Sequence, residues 1–113
     1  SHTVSHPFLN RLSGKDLEYE LLESKRHIES IVSKECLVIA YPNGKKENVG
    51  DGVYSAVKKA EYKYGCLYSG AVEKQNMYDP FRINRVAVER YIGREYFQMR
   101  LLFPAIFVKE YNR

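Results

Sequence analysis

The sequence predicts an α+β domain in which two helices pack on an antiparallel sheet of five or six strands, in the order α-β-β-α-β-β-β with a further strand closing the chain. Three observations lead there. Two segments repeat apolar residues at helical spacing, short apolar runs separate them, and the last third reads as two alternating runs meeting at Ile92-Gly93-Arg94-Glu95. The 113 residues suit a single domain, 1–113, with 1–12 as an extended N-terminal segment.

The first helix follows from Leu17, Leu21, Ile28 and Val32, which share one stripe that Leu22 and Ile31 widen. Ser13 stands as its N-cap, with Asp16 three residues on, so the helix is expected over 15–33. Residues 36–41 are short, apolar and partly β-branched, and Pro42-Asn43-Gly44 closes them with a turn. The polar return arm, 45–49, is expected as an edge strand. Asp51 then caps a second helix whose stripe is Val53, Ala56, Val57, Ala60 and Tyr64, ending at Gly65, with Lys58, Lys59, Glu61, Tyr62 and Lys63 on its exposed face.

Residues 66–73 read as a further strand and 76–80 as a loop. Folded about Gly93-Arg94, the final runs register Val86 with Leu101, Val88 with Met99 and Arg90 with Phe97, a hairpin with one apolar side and one side of tyrosine and charge. One long helix over 79–102 is the competing reading, which Gly93 and the period-two order of Phe97, Met99, Leu101 and Phe103 oppose. Pro104 ends or bends the last arm, and 105–108 continue as a strand.

Eighteen basic against fourteen acidic side chains give a net charge of +4, which permits an anionic partner without demanding one. No apolar run approaches the ~20 residues of a membrane span, and the first residues lack a signal-peptide pattern, so a soluble cytoplasmic protein without a membrane partner is expected. Cys36 and Cys66 each begin an apolar stretch and are expected as buried thiols rather than a disulfide. Ser1-His2 reads as a remnant of tag cleavage, which sets His2 aside.

Candidate chemistry is sparse. Gly50-Asp51-Gly52 precedes a helix but lacks the further glycine or Gly-Lys-Ser/Thr of a phosphate loop, so Asp51 is better placed as a cap. Glu61-Tyr62-Lys63 has a nuclease-like Glu-x-Lys form, yet on a helix those two side chains diverge. With the histidines at His2, His6 and His27 and the cysteines thirty positions apart, neither Cys-x-x-Cys nor His-x-x-x-His spacing is read, and no zinc site or other cofactor is expected. Glu23 and His27, one helical turn apart, read as a surface pair. Ser69 lacks a nucleophile elbow and Cys66 a neighbouring base.

What remains is basic and aromatic surface. Lys58, Lys59, Tyr62 and Lys63 mark the second helix, and Arg82, Arg85, Tyr91, Arg94, Tyr96 and Arg100 the last hairpin. Arginines that hold phosphates and tyrosines that stack on bases make nucleic acid the expected partner of a small, non-enzymatic binding module. One alternative is a protein-interaction or homo-oligomer module using the same hairpin. Another is a metal-independent nuclease with His27 in acid-base catalysis.

Overall fold

Ser13 accepts a hydrogen bond from the Asp16 amide at 3.4 Å and so opens α1 (Gly14–Val32), as its spacing predicts. This is seen in a computed structural model that describes residues 1–70 and 79–107. The helix ends where Ser33 turns left-handed at φ 53° and its amide bonds the Glu29 carbonyl. The buried face of α1 is not the expected stripe. Leu17 and Leu21 enter the core, but Glu20, Ser24 and Lys25 are buried beside them, while Ile31 and Val32 lie exposed near the helix end.

Strand β1 (Val38–Ala40) falls inside the predicted 36–41 run. The Pro42-Asn43 turn follows it, with the Gly44 amide bonded back to the Tyr41 carbonyl at 3.2 Å. No return strand comes next. Lys46–Asn48 is a single 3-10 turn leading into α2 (Gly50–Lys59), whose N-cap is Val49 without a side-chain bond. Asp51 therefore does not cap the helix. It sits in the first turn, where a carboxylate suits the helix dipole, and meets Arg82 at 3.1 Å. The helix stops at Lys59, before the expected Gly65, because Glu61 adopts a left-handed φ of 62° and turns the chain into β2 (Tyr64–Cys66).

The decisive correction concerns pairing direction. β1 and β2 run parallel, with Val38 opposite Tyr64, Ile39 opposite Gly65 and Ala40 opposite Cys66. A parallel bridge joins Cys66 to Ile83 on the far side of β2. On the outer side of β1, the Ser1 nitrogen donates to the Val38 carbonyl at 2.8 Å and its carbonyl accepts from the Ala40 amide at 2.9 Å, the bonding pattern of a parallel neighbour. Helix α1 connects Ser1 to β1 and α2 connects β1 to β2, so the expected antiparallel sheet of five or six strands gives way to parallel α/β connectivity. The near-continuous apolar run Leu37-Val38-Ile39-Ala40 is the composition of a parallel strand, which the Pro-Asn-Gly turn signal masked.

The C-terminal hairpin is absent too. Residues 94–102 form helix α3 (Arg94–Leu102), and Pro104–Phe107 add a single turn, α4, where a strand was expected over 105–108; Val108 lies outside the described residues. Gly93 has φ −65° and serves as the helix N-cap, so the reversed turn that the hairpin needed does not form. The period-two order of Phe97, Met99, Leu101 and Phe103 misled because all four side chains are exposed, leaving no buried face for the alternation to mark. The single long helix fails as well, since 86–93 are not helical. Of the strand expected over 66–73, only Cys66 lies in β2, and 71–73 fall outside the described residues, as do 76–78 of the expected loop.

The core lies between the sheet and the inner faces of α1 and α2, around Leu21, Ile39, Tyr41, Val57, Tyr62 and Leu67. Tyr41 crosses directly over Gly65 and donates its hydroxyl proton to the Phe81 carbonyl at 2.8 Å. A Cβ on Gly65 would stand 2.6 Å from Tyr41 Cζ and 2.9 Å from the Phe81 oxygen. Gly65→Ala is therefore expected to lower stability by at least ~1–3 kcal/mol through forced overpacking, read as a fall in the urea midpoint. Gly52→Ala, in an open position of α2, should instead gain ~0.5–1 kcal/mol. Equal midpoints for the two variants would contradict the close approach.

Candidate active site

Because the sheet positions run parallel, the residues that follow them emerge on one edge: His2 after Ser1, Tyr41 to Gly44 after β1, Leu67 to Ser69 after β2, and Asn84 after Ile83. The carboxyl edge of parallel strands is where α/β proteins place their sites, since each strand delivers a loop there. Asn43, at φ 56°, is exposed at this edge. The loops bond one another: the Tyr68 amide donates to the Gly44 carbonyl at 2.7 Å, Arg85 Nε to the Leu67 carbonyl at 2.8 Å, and the Ser69 hydroxyl to Asn84 Oδ1.

The first loop carries two imidazoles. His2 and His6 are exposed, with ring centroids 4.7 Å apart and planes at 65°. His2 Nδ1 lies 2.6 Å from the Ala40 carbonyl oxygen. A carbonyl can only accept, so Nδ1 carries a proton, and in the neutral ring Nε2 is left with its lone pair. That is the arrangement a metal-ligating histidine adopts. The sequence reading set His2 aside and so missed the His-x-x-x-His spacing that it forms with His6.

The loop between them is strained and clamped. Thr3 and His6 have left-handed φ values of 68° and 59°, a cost on the order of 1–3 kcal/mol each for residues other than glycine. Against this, Glu20 Oε2 accepts from the Val4 amide at 2.7 Å and the Ser5 amide at 3.0 Å, and Oε1 accepts from the Ser5 hydroxyl. Bonds to a charged carboxylate contribute ~1.5–3 kcal/mol each, enough to offset the backbone strain. The His6 amide adds a bond to Thr3 Oγ1 at 3.1 Å. Burial pushes the Glu20 carboxyl upward, but the bonds from Ser5, Val4 and Thr3 outweigh it and hold the group below the usual carboxylate range.

Among the described residues no three His, Cys, Asp or Glu side chains come together to hold a metal. The His2–His6 pair fits two of the three protein ligands that a catalytic zinc takes; two nitrogens on one zinc stand roughly 3.3 Å apart, within reach of rings so placed.

Comparison with known proteins bears on this edge directly. Residues 1–65, which contain the histidine loop, α1, β1 and α2, match the polysaccharide deacetylase family. The chain belongs to that family. Its fold is similar to a Streptococcus pyogenes deacetylase, PplD, solved in complex with acetate, at a TM-score of 0.72 and 24% identity over 88% of this chain and 42% of that one. It is also similar to a de-N-acetylase from Aggregatibacter actinomycetemcomitans, at a TM-score of 0.52 and 14% identity over 76% of this chain and 32% of the other. The chain thus spans less than half the length of either protein. No curated protein matches it.

Membership of a deacetylase family overturns the expected non-enzymatic nucleic-acid module, and the structure shows why the basic-aromatic set misled. In this family member those residues are scattered, and several are already engaged. Arg82 pairs with Asp51 at 3.1 Å and Asp79 at 3.3 Å and lies over the Tyr54 ring. Arg85 bonds the Leu67 carbonyl, and Arg100 is buried on the Ala87 carbonyl and against Tyr96. Tyr62 is core, its hydroxyl donating to the Leu21 carbonyl at 3.0 Å. Lys58 covers the Phe81 ring, and Lys59, Lys63, Tyr91 and Arg94 are exposed on separate segments.

His27, the base of the nuclease reading, is exposed on α1, and Glu23 pairs with Arg26 rather than with it. Cys36 and Cys66 are half-buried thiols. No described helix is long and apolar enough to cross a membrane.

The hydrogen bond from His2 to Ala40 makes a specific spectroscopic demand. Above the imidazole pKa, long-range 1H–15N spectra should show His2 with a protonated Nδ1 and a bare Nε2, the minor tautomer of free histidine. A His2 ring found mostly in the Nε2–H form would contradict the geometry.

Proposed function

We propose that this chain forms one side of the active site of a zinc-dependent deacetylase that removes acetyl groups from an acetylated polysaccharide, with His2 and His6 as two of the metal's ligands. The observation that carries the reading is the oriented pair of exposed imidazoles at the carboxyl edge of the sheet, inside the segment that matches the family. That PplD was solved with acetate, the small product of such a reaction, supports it. When bound, the metal would supply Lewis-acid polarisation of an acetyl carbonyl and a water made acidic enough to attack it.

The protein's own part is positional. The Ala40 carbonyl holds the proton of His2 on Nδ1 and keeps Nε2 turned outward as the available nitrogen. The clamped loop keeps His6 beside it, and the cross-bonded loops after β1 and β2 offer a firm border for a sugar chain. A third protein ligand is required from residues other than those described. A polysaccharide substrate also favours action at the cell surface over the cytoplasmic placement expected from the sequence.

Supplied with zinc, the protein should release acetate from acetylated glucosamine oligomers, and a chelator should stop the release until zinc is restored. His2→Ala and His6→Ala should each abolish it while leaving the far-UV spectrum unchanged. Undiminished acetate release by the double variant would remove the pair from the mechanism.

A further inference from the structure

Only three residues separate His2 from His6, so their backbone has to reverse sharply for both rings to reach one point. Two residues other than glycine accept left-handed conformations to do this. The loop's own side chains do not hold that shape alone, since Val4 is exposed and Thr3, besides accepting from the His6 amide, bonds Glu20 as well. The other contacts converge on a residue outside the loop. Glu20 projects from the inner face of α1, is 7% exposed, and lies one turn from Leu17 and next to Leu21, both in the core. One of its oxygens takes two consecutive loop amides, at 2.7 Å and 3.0 Å, and the other takes the Ser5 hydroxyl.

A carboxylate with both oxygens spent in this way is not itself free to bind substrate or metal. Its position explains instead how the loop is aimed. We propose that Glu20 is a positioning residue for the His2–His6 pair, fixing from α1 the loop conformation that brings the two imidazoles to one point. The inference rests on the reading of that pair as metal-binding.

Isothermal titration of the protein with cobalt(II), as a spectroscopic substitute for zinc, tests it. Glu20→Ala should weaken cobalt binding by ~10–100-fold, the usual effect of removing a group that orients a ligand. Glu20→Gln retains an oxygen for the two amides and an NH2 for the Ser5 hydroxyl, and should recover most of the affinity. Ser5→Ala, which deletes one bond only, should weaken binding by a few-fold. Glu18→Ala, on the exposed side of the same helix, should bind as the wild type does.

A second readout needs no metal. In Glu20→Ala the 15N signature of His2 should shift from the Nδ1–H form toward the tautomer mixture of free histidine. Should Glu20→Ala not fold, Glu20→Gln and Ser5→Ala carry the test, and binding by Ser5→Ala equal to the wild type would overturn the proposal. So would a folded Glu20→Ala with unchanged cobalt affinity and an unchanged His2 tautomer. If the wild type itself binds no cobalt, the metal reading of the pair fails, and the tautomer decides the role of Glu20: a shift upholds it and no shift refutes it.

Discussion

Parallel pairing of β1 with β2 is the constraint from which the rest of this molecule follows. Parallel neighbours cannot be joined by a tight turn, so the chain must return across the sheet before the second strand begins. Here α2 makes that return, and α1 makes the equivalent one between the Ser1 position and β1. Two consequences come at once. The helices cover the sheet and bury Ile39, Val57 and Leu21 between them, and every loop that leaves a strand does so on the same edge. Gly65 belongs to this constraint, because only a residue without a side chain lets Tyr41 lie across β2 and tie the end of β1 to Phe81.

The inner face of α1 is more polar than a core face needs to be. Burying a carboxylate, a hydroxyl and an ammonium costs several kcal/mol unless each finds partners. Each does. Ser24 donates to the Glu20 carbonyl at 2.7 Å, and Lys25 donates to the Cys36 carbonyl at 2.8 Å while pairing with Glu29 at 3.2 Å. Glu29 accepts from the Cys36 amide at 2.9 Å, and that bond is the leading cause of its depressed carboxyl pKa. An apolar face would have packed at lower cost, but it could not have held the histidine loop at one end of the helix and the approach to β1 at the other.

The helices were legible in the sequence wherever local chemistry decides the outcome. Ser13 and Asp16 announce the start of α1, and the Val53, Val57 and Ala60 stripe locates α2, because caps and periodic burial act within a turn or two. Strand direction was not legible, since Pro42-Asn43-Gly44 serves a strand-to-helix loop as readily as a hairpin. Residues 94–102 failed for a related reason: their alternation is real, but in a segment that buries only Arg100 it records no packing. The site was legible in principle. His2, four residues before His6 and followed after α1 by an apolar strand, is a spacing signal that discarding the first residues as a tag remnant erased. Glu20 could not have been found, because a carboxylate on a helix gives no sign in sequence of whether it meets water or backbone amides.

The edge itself is built as a laterally bonded platform rather than a set of independent loops. Backbone bonds carry the sheet pattern past the strands: the Tyr41 amide reaches the Cys66 carbonyl at 3.0 Å, Tyr68 reaches Gly44, and Gly70 reaches Arg85 at 3.1 Å. Loops so joined lose little further entropy when a ligand settles on them, which favours rigid positioning. The histidine loop is attached differently. Beyond Ser1 it makes no ladder bonds to β1, and side chains hold it instead, with the His2 ring on the Ala40 carbonyl above and the Glu20 carboxylate below. That places the two imidazoles at the end of β1, while their orientation depends on two anchors from different elements, the Ala40 backbone carbonyl of β1 and the Glu20 carboxylate of α1. Precision at this edge therefore comes from α1 as much as from the strands.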